Sequence, residues 1–212
     1  MKLYTYFRSS AAYRVRIALN LKGIDCESAP VNLRPGAHRQ PDYLARNPQG
    51  LIPALEDGGA VIGQSLAIIE YLEETHPQPP LLPRATLDRA RVRSMALAVA
   101  CDIHPLNNLR VLNYLRSPLG HDEAAVDTWY RHWIAEGFRS LEEEAERVSG
   151  DGRHMFGMEV TLADVCLVPQ MANARRFKCN VEPFPVLRAI CAHLETLSPF
   201  ARAAPDAQPD AS

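Results

Sequence analysis

The pattern of hydrophobic and polar residues changes its period several times within the first 75 positions of the chain. Residues 2–6 form a short β-favouring run, which predicts a strand. Directly after it, apolar residues recur at i, i+4, i+7 and i+8, the spacing of one helix face: Ala11, Val15, Ala18 and Leu19. The chain is therefore predicted to open with a strand followed by an amphipathic helix.

The alternation of periods continues as far as the first proline-rich stretch. Residues 27–33 predict a second strand, and a polar, helix-like stretch follows it. Residues 52–57 and 60–63 predict two short strands around the turn Asp57-Gly58-Gly59, a strong hairpin signal. A helix is predicted to follow, with Ser65 as its cap. The predicted order of elements is β-α-β-α-β-β-α.

Beyond a proline-rich linker at residues 75–84, the pattern is helical almost throughout. Apolar residues there step by four and three, as in a helical bundle: Val92, Ala96, Val99, Ile103 and Leu106. We predict an α/β domain at residues 1–82 and an all-helical domain at residues 87–212. The last ten residues, rich in alanine, proline and aspartate, predict a frayed tail.

Composition excludes several classes of function. The formal net charge of -2 favours neither nucleic acid nor an anionic membrane as a partner. Five scattered cysteines are typical of reduced thiols in a cytoplasmic protein. The sequence contains neither a CxxC nor an HExxH motif, so a metal site has little support. We also expect no signal peptide and no membrane span, because the first residues lack the signal-peptide pattern and no stretch is apolar for long enough.

The junction "YFRSSAAYR" places two hydroxyls at the predicted start of the first helix. Unpaired N–H groups and the positive end of the helix dipole stabilise an anion such as a thiolate at such a place. Ser9 or Ser10 could donate a hydrogen bond to that sulfur, although a simple capping role is the common alternative. The order of elements is that of a thioredoxin-like fold, and Pro53 stands before a strand where that fold carries a cis-proline.

Four segments in the same order resemble the zeta class of the cytosolic glutathione transferases. They are "YFRSSAAYRVRIAL", "NPQGLIPALEDGGAVIGQSLAIIEYLEETHP", "IHPLNNLRVL" and "VTLADVCLVPQMANARRF". The resemblance extends to about Phe200 and implies a thioredoxin-like N-terminal domain with an all-α C-terminal domain. The class usually has Ser-Ser-Cys at the helix start, and this chain has Ala11 in place of that cysteine. The sulfur of glutathione itself must therefore carry the catalysis.

The resemblance implies a glutathione site that draws on both domains. Ser9 and Ser10 would face the sulfur, Gln64 and Ser65 the γ-glutamyl carboxylate, and other residues the remaining parts of the peptide. The full set of implied cofactor-binding residues is Ser9, Ser10, Arg14, His38, Gln49, Ile52, Pro53, Gln64, Ser65, His104 and Asn108.

Isomerases of this class act on maleyl diacids, which have a cis double bond next to a carbonyl. The implied chemistry is addition of the glutathione thiolate, rotation about the resulting single bond, and elimination to the trans product. Two carboxylates and a developing enolate need cations, and arginine binds carboxylates through two parallel hydrogen bonds. Arg8, Arg110 and Arg176 are the predicted substrate-binding residues, whereas Arg175 is interpreted as part of a surface salt bridge.

Two further motifs have different interpretations. His104 and Asn108 are four residues apart, which predicts one helix face, and Pro105 would kink or restart that helix. With Ser9 and Ser10, this pair completes the predicted catalytic set, and a hydrogen-bonded pair without chemistry is the alternative. Thr161 and Asp164 have capping-box spacing and are interpreted as structural. Three cysteines in apolar helical stretches are interpreted as core residues: Cys101, Cys166 and Cys191.

The resulting hypothesis is a homodimeric, glutathione-dependent cis-trans isomerase that converts maleylpyruvate to fumarylpyruvate in bacterial aromatic catabolism. Maleylacetoacetate is the alternative substrate, because both compounds share the maleyl group. Two other hypotheses remain open: a transferase that conjugates glutathione to halogenated acids, and a non-enzymatic binding module on the same fold. Consumption of glutathione would distinguish conjugation from isomerisation.

Overall fold

A computed structural model describes residues 1–33 and 36–211 of the chain. The chain divides into two compact units. The N-terminal unit comprises Met1–Pro80 together with the residues from Thr196 onward, and the helical unit comprises Leu81–Glu195.

The described residues form a small sheet and a larger set of helices. The strands are β1 (Lys2–Thr5), β2 (Glu27–Pro30), β3 (Ala54–Asp57) and β4 (Ala60–Gly63). The α-helices are α1 (Ser10–Leu21), α2 (Pro41–Leu44), α3 (Ser65–Thr75), α4 (Thr86–Leu97), α5 (Leu109–Arg116), α6 (Glu123–Val148), α7 (Leu162–Arg176), α8 (Pro185–Leu194) and α9 (Ser198–Ala203). A π-helix, Ala98–Ile103, follows α4, and 3₁₀ turns lie at Ala37–Arg39, Pro205–Ala207 and Pro209–Ala211.

The sheet has the order β2-β1-β3-β4, with β1 parallel to β2 and the other neighbours antiparallel. This arrangement confirms the predicted β-α-β-α-β-β-α order, although β1 and β2 are shorter than predicted. The hairpin between β3 and β4 turns at Gly58 and Gly59, whose φ angles of 55° and 85° suit glycine. The Ile52-Pro53 peptide bond, for which the sequence left cis and trans open, is cis.

Helix α1 is buried on nearly all sides because it packs against α3 and also against α9. Val15 and Ile17 are fully buried although they lie on different faces of the helix. The same enclosure buries two cations, Arg14 and Arg16, at 1% and 7% exposure. A charge held in such surroundings needs hydrogen-bonding partners, so both arginines act as structural connections.

The C-terminal segment differs from its prediction in two ways. Residues 203–212 are predicted to be a frayed tail of the helical domain, but two 3₁₀ turns lie there, and the segment belongs with α9 to the N-terminal unit. The physical reason is a set of side chains on α1 that donate hydrogen bonds to its carbonyls. Tyr13 Oη lies 3.4 Å from the Phe200 oxygen, and Asn20 Nδ2 lies 2.9 Å from the Pro199 oxygen. The predicted boundary at residues 82–87 also differs slightly, since the division falls after Pro80.

The helical unit is built around the predicted apolar stripe. Four of the five stripe residues are at most 1% exposed, and Leu106 is half-buried. Helix α7 packs against α4 and α8, and the long helix α6 packs against α8 and the π-helix. Ile103 of the π-helix lies so close to Gly137 of α6 that a Cβ atom there would collide with it.

The start of α7 has the predicted capping box. Asp164 is fully buried and accepts hydrogen bonds from the backbone nitrogens of Met155 and Thr161, each at 2.7 Å, and from the Thr161 hydroxyl at 2.9 Å. Cys166 and Cys191 are buried as predicted. Cys101 is exposed, which corrects its prediction, because the buried residues of the π-helix are Val99 and Ile103 and Cys101 lies between them.

Over the described part of the chain, we found no helix with the length and apolarity that crossing a membrane would require.

Candidate active site

The turn between β1 and α1 carries the first group of predicted site residues. Ser9 N donates to the Tyr6 oxygen at 2.9 Å, which closes the turn. Ser9 has extended backbone angles and is the N-cap of α1, with its Oγ accepting from Ala12 N at 3.2 Å. Ser10 is the first helical residue and is buried at 6% exposure.

The capping role of Ser9 is compatible with a role at a thiolate. A hydroxyl has one hydrogen to donate and two lone pairs to accept with, so Ser9 can accept from Ala12 and still donate to a sulfur. The first turn of α1 contains no acidic side chain to compete for its N–H groups. The observed capping role therefore does not exclude the predicted role of Ser9 at a thiolate.

Arg14 and Ser65 connect α1 to the start of α3. The buried guanidinium donates from Nη1 to Ser65 Oγ at 3.3 Å. Ser65 is the first residue of α3, so the prediction that it caps the helix is wrong. Gln64 is the N-cap and has a backbone φ of 65°, in a region that residues other than glycine rarely adopt. Such a backbone is retained only when its surroundings enforce it, and it is common at binding sites.

Gln64 is held by a second predicted site residue. Its Nε2 donates to Gln49 Oε1 at 2.7 Å. The loop that carries Gln49 is fixed by Asn47, which the sequence analysis did not identify. Asn47 Nδ2 donates to the Leu51 oxygen at 2.8 Å, and its Oδ1 accepts from Gln49 N at 3.2 Å. The "NPQG" turn signature was the only sequence signal for this role.

Two other predicted site residues differ in character: Ile52 is a buried apolar residue, and His38 has a buried ring nitrogen. Ile52 packs in a cluster with Tyr4 and Tyr6 and is 9% exposed. His38 Nδ1 is buried without a hydrogen-bond partner in the described structure. Burial, followed by the neighbouring Arg39 charge, lowers the pKa of His38. A neutral imidazole with one unsatisfied nitrogen suits a polar ligand.

These features fit glutathione, a peptide with a thiol and two carboxylates. The α1 start offers N–H groups and a hydroxyl for the thiol, and the α3 start offers the same kind of site beside the Gln49–Gln64 pair. His38 supplies a buried polar atom that no group of the described residues satisfies. The structure thus brings Arg14 to Ser65 and Gln49 to Gln64 within the N-terminal unit.

The three predicted substrate arginines share their exposure and the lack of a carboxylate partner among the described residues. Arg8, Arg110 and Arg176 are exposed, and no acidic side chain of the described residues forms an ion pair with any of them. Arg8 lies over the Phe7 ring at 4.9 Å and Arg176 over the Phe177 ring at 4.8 Å, which orients each guanidinium.

Arg175 provides the contrast with its neighbour Arg176. Its Nη1 lies 2.6 Å from Glu195 Oε1, so the expectation of a surface salt bridge is confirmed. Burial raises the pKa of Tyr130, and the Arg176 charge acts in the opposite direction. The two adjacent arginines at the end of α7 thus have different partners. Arg175 pairs with the carboxylate of Glu195, whereas Arg176 lies near the buried phenol of Tyr130.

The prediction that His104 and Asn108 share one helix face is wrong. The helical path ends at Ile103, a turn follows, and Asn108 is the N-cap of α5. Its Oδ1 accepts from Arg110 N at 3.1 Å. Pro105 lies in the turn, so the predicted restart of the helix is confirmed.

This turn is fixed by two residues that the sequence analysis did not single out. Asn107 is 8% exposed, and its Nδ2 donates to the Tyr130 oxygen at 3.1 Å. Trp129 Nε1 donates to the Leu106 oxygen at 2.9 Å. Both contacts anchor the turn to α6. The preceding π-helix is a feature often found beside functional sites.

Comparisons with known proteins agree with this geometry. The family model described as glutathione S-transferase, N-terminal domain, matches residues 3–80. A relative from Vibrio cholerae, named probable maleylacetoacetate isomerase, is 49% identical over 211 residues, which cover 99% of this chain and 97% of the relative.

Two solved structures are similar over 100% of both chains. The first, the holo structure of a maleylpyruvate isomerase described as a bacterial zeta-class glutathione S-transferase, has a TM-score of 0.98 at 48% identity. The second is a maleylacetoacetate isomerase from Methylobacterium extorquens AM1 with bound malonate and glutathione, and it has a TM-score of 0.96 at 42% identity.

Proposed function

The chain belongs to the glutathione S-transferase family, in the group that contains the maleylpyruvate and maleylacetoacetate isomerases, and we propose that it is a glutathione-dependent cis-trans isomerase of maleyl ketoacids. Its proposed substrate is maleylpyruvate, which it converts to fumarylpyruvate. Glutathione is the cofactor and is regenerated in each cycle.

When bound, glutathione would supply a thiolate for addition to the conjugated double bond, which would become a C–C single bond free to rotate before elimination returns the thiolate. Ser9 donates a hydrogen bond from its hydroxyl to that sulfur while its oxygen caps α1. Ser10 is the first residue of the same helix. Lowering a thiol pKa by about two units needs about 2.7 kcal/mol of preferential stabilisation of the thiolate. A hydrogen bond to a charged group and a helix terminus together can supply this amount.

The remaining cofactor-binding residues hold the peptide. Gln64 and Ser65 bind the γ-glutamyl carboxylate at the α3 start, with Arg14 behind Ser65 and Gln49 beside Gln64. Ile52 and Pro53 contact the cysteinyl backbone, and His38 with Gln49 reaches the glycyl end. His104 and Asn108 assist at the sulfur, where His104 can hold or move a proton.

Arg8, Arg110 and Arg176 bind the substrate carboxylates and stabilise the developing enolate. The observation that carries the proposal is the state of Arg8: an exposed guanidinium without a carboxylate partner, next in sequence to the capped start of α1. A transferase for neutral electrophiles has no need of such a cation, whereas a diacid isomerase does.

One assay tests the function directly. The loss of absorbance of maleylpyruvate and of maleylacetoacetate is followed with and without a catalytic amount of glutathione, and the free thiol is measured at the end. Complete conversion with the thiol unchanged supports isomerisation. Stoichiometric loss of the thiol would instead show a conjugating transferase. The ratio of kcat/KM for the two ketoacids identifies the preferred substrate.

We also propose that the enzyme is a cytoplasmic homodimer. None of its five cysteines, all of them among the described residues, forms a disulfide, which supports a reducing compartment. Two large apolar side chains on α4, Leu87 and Leu97, are 63% and 44% exposed and suit a subunit interface. Sedimentation of the protein at several concentrations tests the dimer, and an aspartate at either leucine is expected to weaken it.

A further inference from the structure

Both backbone groups of Phe7 are held by side chains from elsewhere in the chain. Its N–H donates to Asp210 Oδ2 at 2.9 Å, across 203 positions of sequence. Its carbonyl accepts from Arg16 Nη2 at 3.1 Å. Phe7 directly precedes Arg8 and Ser9, so these two contacts fix the backbone from which the site residues project.

Arg16 extends the same network to the C-terminal segment. Its Nε donates to the Ala203 oxygen at 3.0 Å, and its Nη1 donates to Thr5 Oγ1 at 3.1 Å and the Tyr6 oxygen at 3.4 Å. The buried guanidinium of Arg16 therefore connects the end of β1, the turn from Tyr6 to Ser9, and α9. The C-terminal segment thus reaches the turn at two points, through Ala203 and through Asp210.

The charge of Asp210 has a clear local role. Burial lowers the pKa of Arg16 to about 10, and the Asp210 carboxylate opposes that effect. Asp210 Oδ1 is itself buried without a hydrogen-bond partner. Placing a carboxylate in this position costs free energy, which the Phe7 N–H and the Arg16 charge offset.

We propose that Asp210 is a positioning residue for the thiolate site: by accepting the Phe7 N–H, the C-terminal segment sets the placement of Arg8 and Ser9. This inference rests on the proposed function of that turn. Asp210 acts through the backbone and touches neither the cofactor nor the substrate. Its effect comes from geometry, because a negative charge near a thiolate would by itself oppose ionisation of the thiol.

Two substitutions at one position separate geometry from charge. Asp210→Ala removes the acceptor and the charge, whereas Asp210→Asn removes the charge but keeps an acceptor oxygen of the same shape. Asp206→Ala is the matched control, since Asp206 is an exposed aspartate in the preceding 3₁₀ turn of the same segment. All variants are made in the full chain and compared by thermal unfolding.

The readouts are the pKa of bound glutathione, from thiolate ultraviolet absorbance, and kcat and KM for maleylpyruvate. Asp210→Ala is expected to raise the thiol pKa and to lower kcat about five- to 50-fold, because small displacements at a reacting centre are costly. Asp210→Asn should stay within about threefold of the parent in kcat, and Asp206→Ala should match the parent.

Two outcomes would overturn the inference. Equal effects of Asp210→Ala and Asp210→Asn would assign the role to charge, and no effect of either would make the contact irrelevant to the site. If Asp210→Ala fails to fold, the thiol pKa and kcat are compared between Asp210→Asn and Asp210→Ser, which retain an acceptor to different extents. A parent that binds glutathione but does not isomerise would refute the proposed function alone, since the thiol pKa still tests Asp210.

Discussion

Two turns of this molecule carry predicted site residues and are built in similar ways. The turn from Tyr6 to Ser9 leads into α1, and the turn after Ile103 leads into α5. Each ends in a polar N-cap whose side-chain oxygen accepts a backbone N–H: Ser9 from Ala12, and Asn108 from Arg110. Each also presents an arginine within two residues of the cap.

The two turns differ in what holds them. The first is fixed by Arg16 and Asp210, which come from α1 and from the far end of the chain. The second is fixed by Asn107 and Trp129, through contacts with α6. A cap can be identified from local sequence, but the groups that fix its position cannot, because they depend on which distant segments pack nearby.

The largest effects are expected at Arg8 and Arg176, which have no carboxylate partner among the described residues, and Arg175 gives a matched control next to Arg176. Arg176→Ala and Arg8→Ala should each lower kcat/KM for maleylpyruvate by about 30-fold to several thousand-fold, because a lost charged contact costs about 2–5 kcal/mol. Arg175→Ala removes only an exposed ion pair and should change kcat/KM less than about threefold. Steady-state kinetics on the three variants measure these ratios.

A neutral aryl halide serves as the second substrate for the same variants. Its conjugation with glutathione should fall much less than isomerisation, since it has no carboxylate to bind. Equal losses on both substrates would mean that Arg8 and Arg176 support the fold or the cofactor site. The diacid hypothesis would then lose its main physical argument.

The start of α7 is a third capped helix, with no proposed chemistry, and so it shows what a purely structural cap does. Asp164→Ala leaves three buried donors without an acceptor and should lower the free energy of unfolding by about 2–4 kcal/mol. Urea unfolding measures this loss. At a temperature where the variant is folded, kcat should equal that of the parent, and a selective fall in kcat would contradict the structural role.

The same residue gives the stability a pH dependence of known sign. Burial raises the pKa of Asp164 from its usual 3.8 to about 6, against the opposing effect of its hydrogen bonds. The folded state therefore binds a proton more tightly than the unfolded state between about pH 4 and pH 6, and this contribution to stability falls as pH rises through that window. Asp164→Asn should remove that slope, and an unchanged slope would assign it to other groups.

Ser9 tests whether the first turn combines a cap with chemistry. Ser9→Ala should raise the pKa of bound glutathione by one to two units, about ten- to 100-fold in thiolate fraction at neutral pH, and should also cost about 1 kcal/mol of stability. Ser9→Thr keeps both functions and should retain most of the activity. Ser10→Ala is the comparison for the neighbouring hydroxyl, and if neither alanine variant nor the double variant moves the thiol pKa, His104 becomes the better candidate.

The N-terminal unit was well predicted because its signals are local. The change from strand period to helix period at Phe7-Arg8 coincides with the two serines, and the Gly58-Gly59 turn defines the hairpin. The helical unit was less well predicted near its site. The apolar stripe continues to Leu106, so periodicity alone carried the helix past the point where the π-helix ends it.

The parts that could not be predicted depend on long-range contacts. Asp210 lies in a segment whose composition indicates a frayed tail, and only its packing on α1 reveals an ordered structure. Arg14 and Arg16 are both buried connections in the structure. The sequence alone could not distinguish them from the exposed Arg8.

The smallest effect is expected at Asn108 and would sharpen the comparison between the two turns. As the N-cap of α5, Asn108 uses Oδ1 as an acceptor, and its amide nitrogen remains the group that could assist at a sulfur. Asn108→Ser preserves a capping acceptor but removes that nitrogen, while Asn108→Ala removes both and should cost about 1 kcal/mol of stability. If Asn108 assists catalysis, both variants should lower kcat by a similar factor of about three to ten, as expected for one neutral hydrogen bond. If only the alanine variant differs from the parent, and only in thermal unfolding, Asn108 is a cap without chemistry. The proposed contribution of the second turn to the reaction would then come from Arg110 and His104 alone.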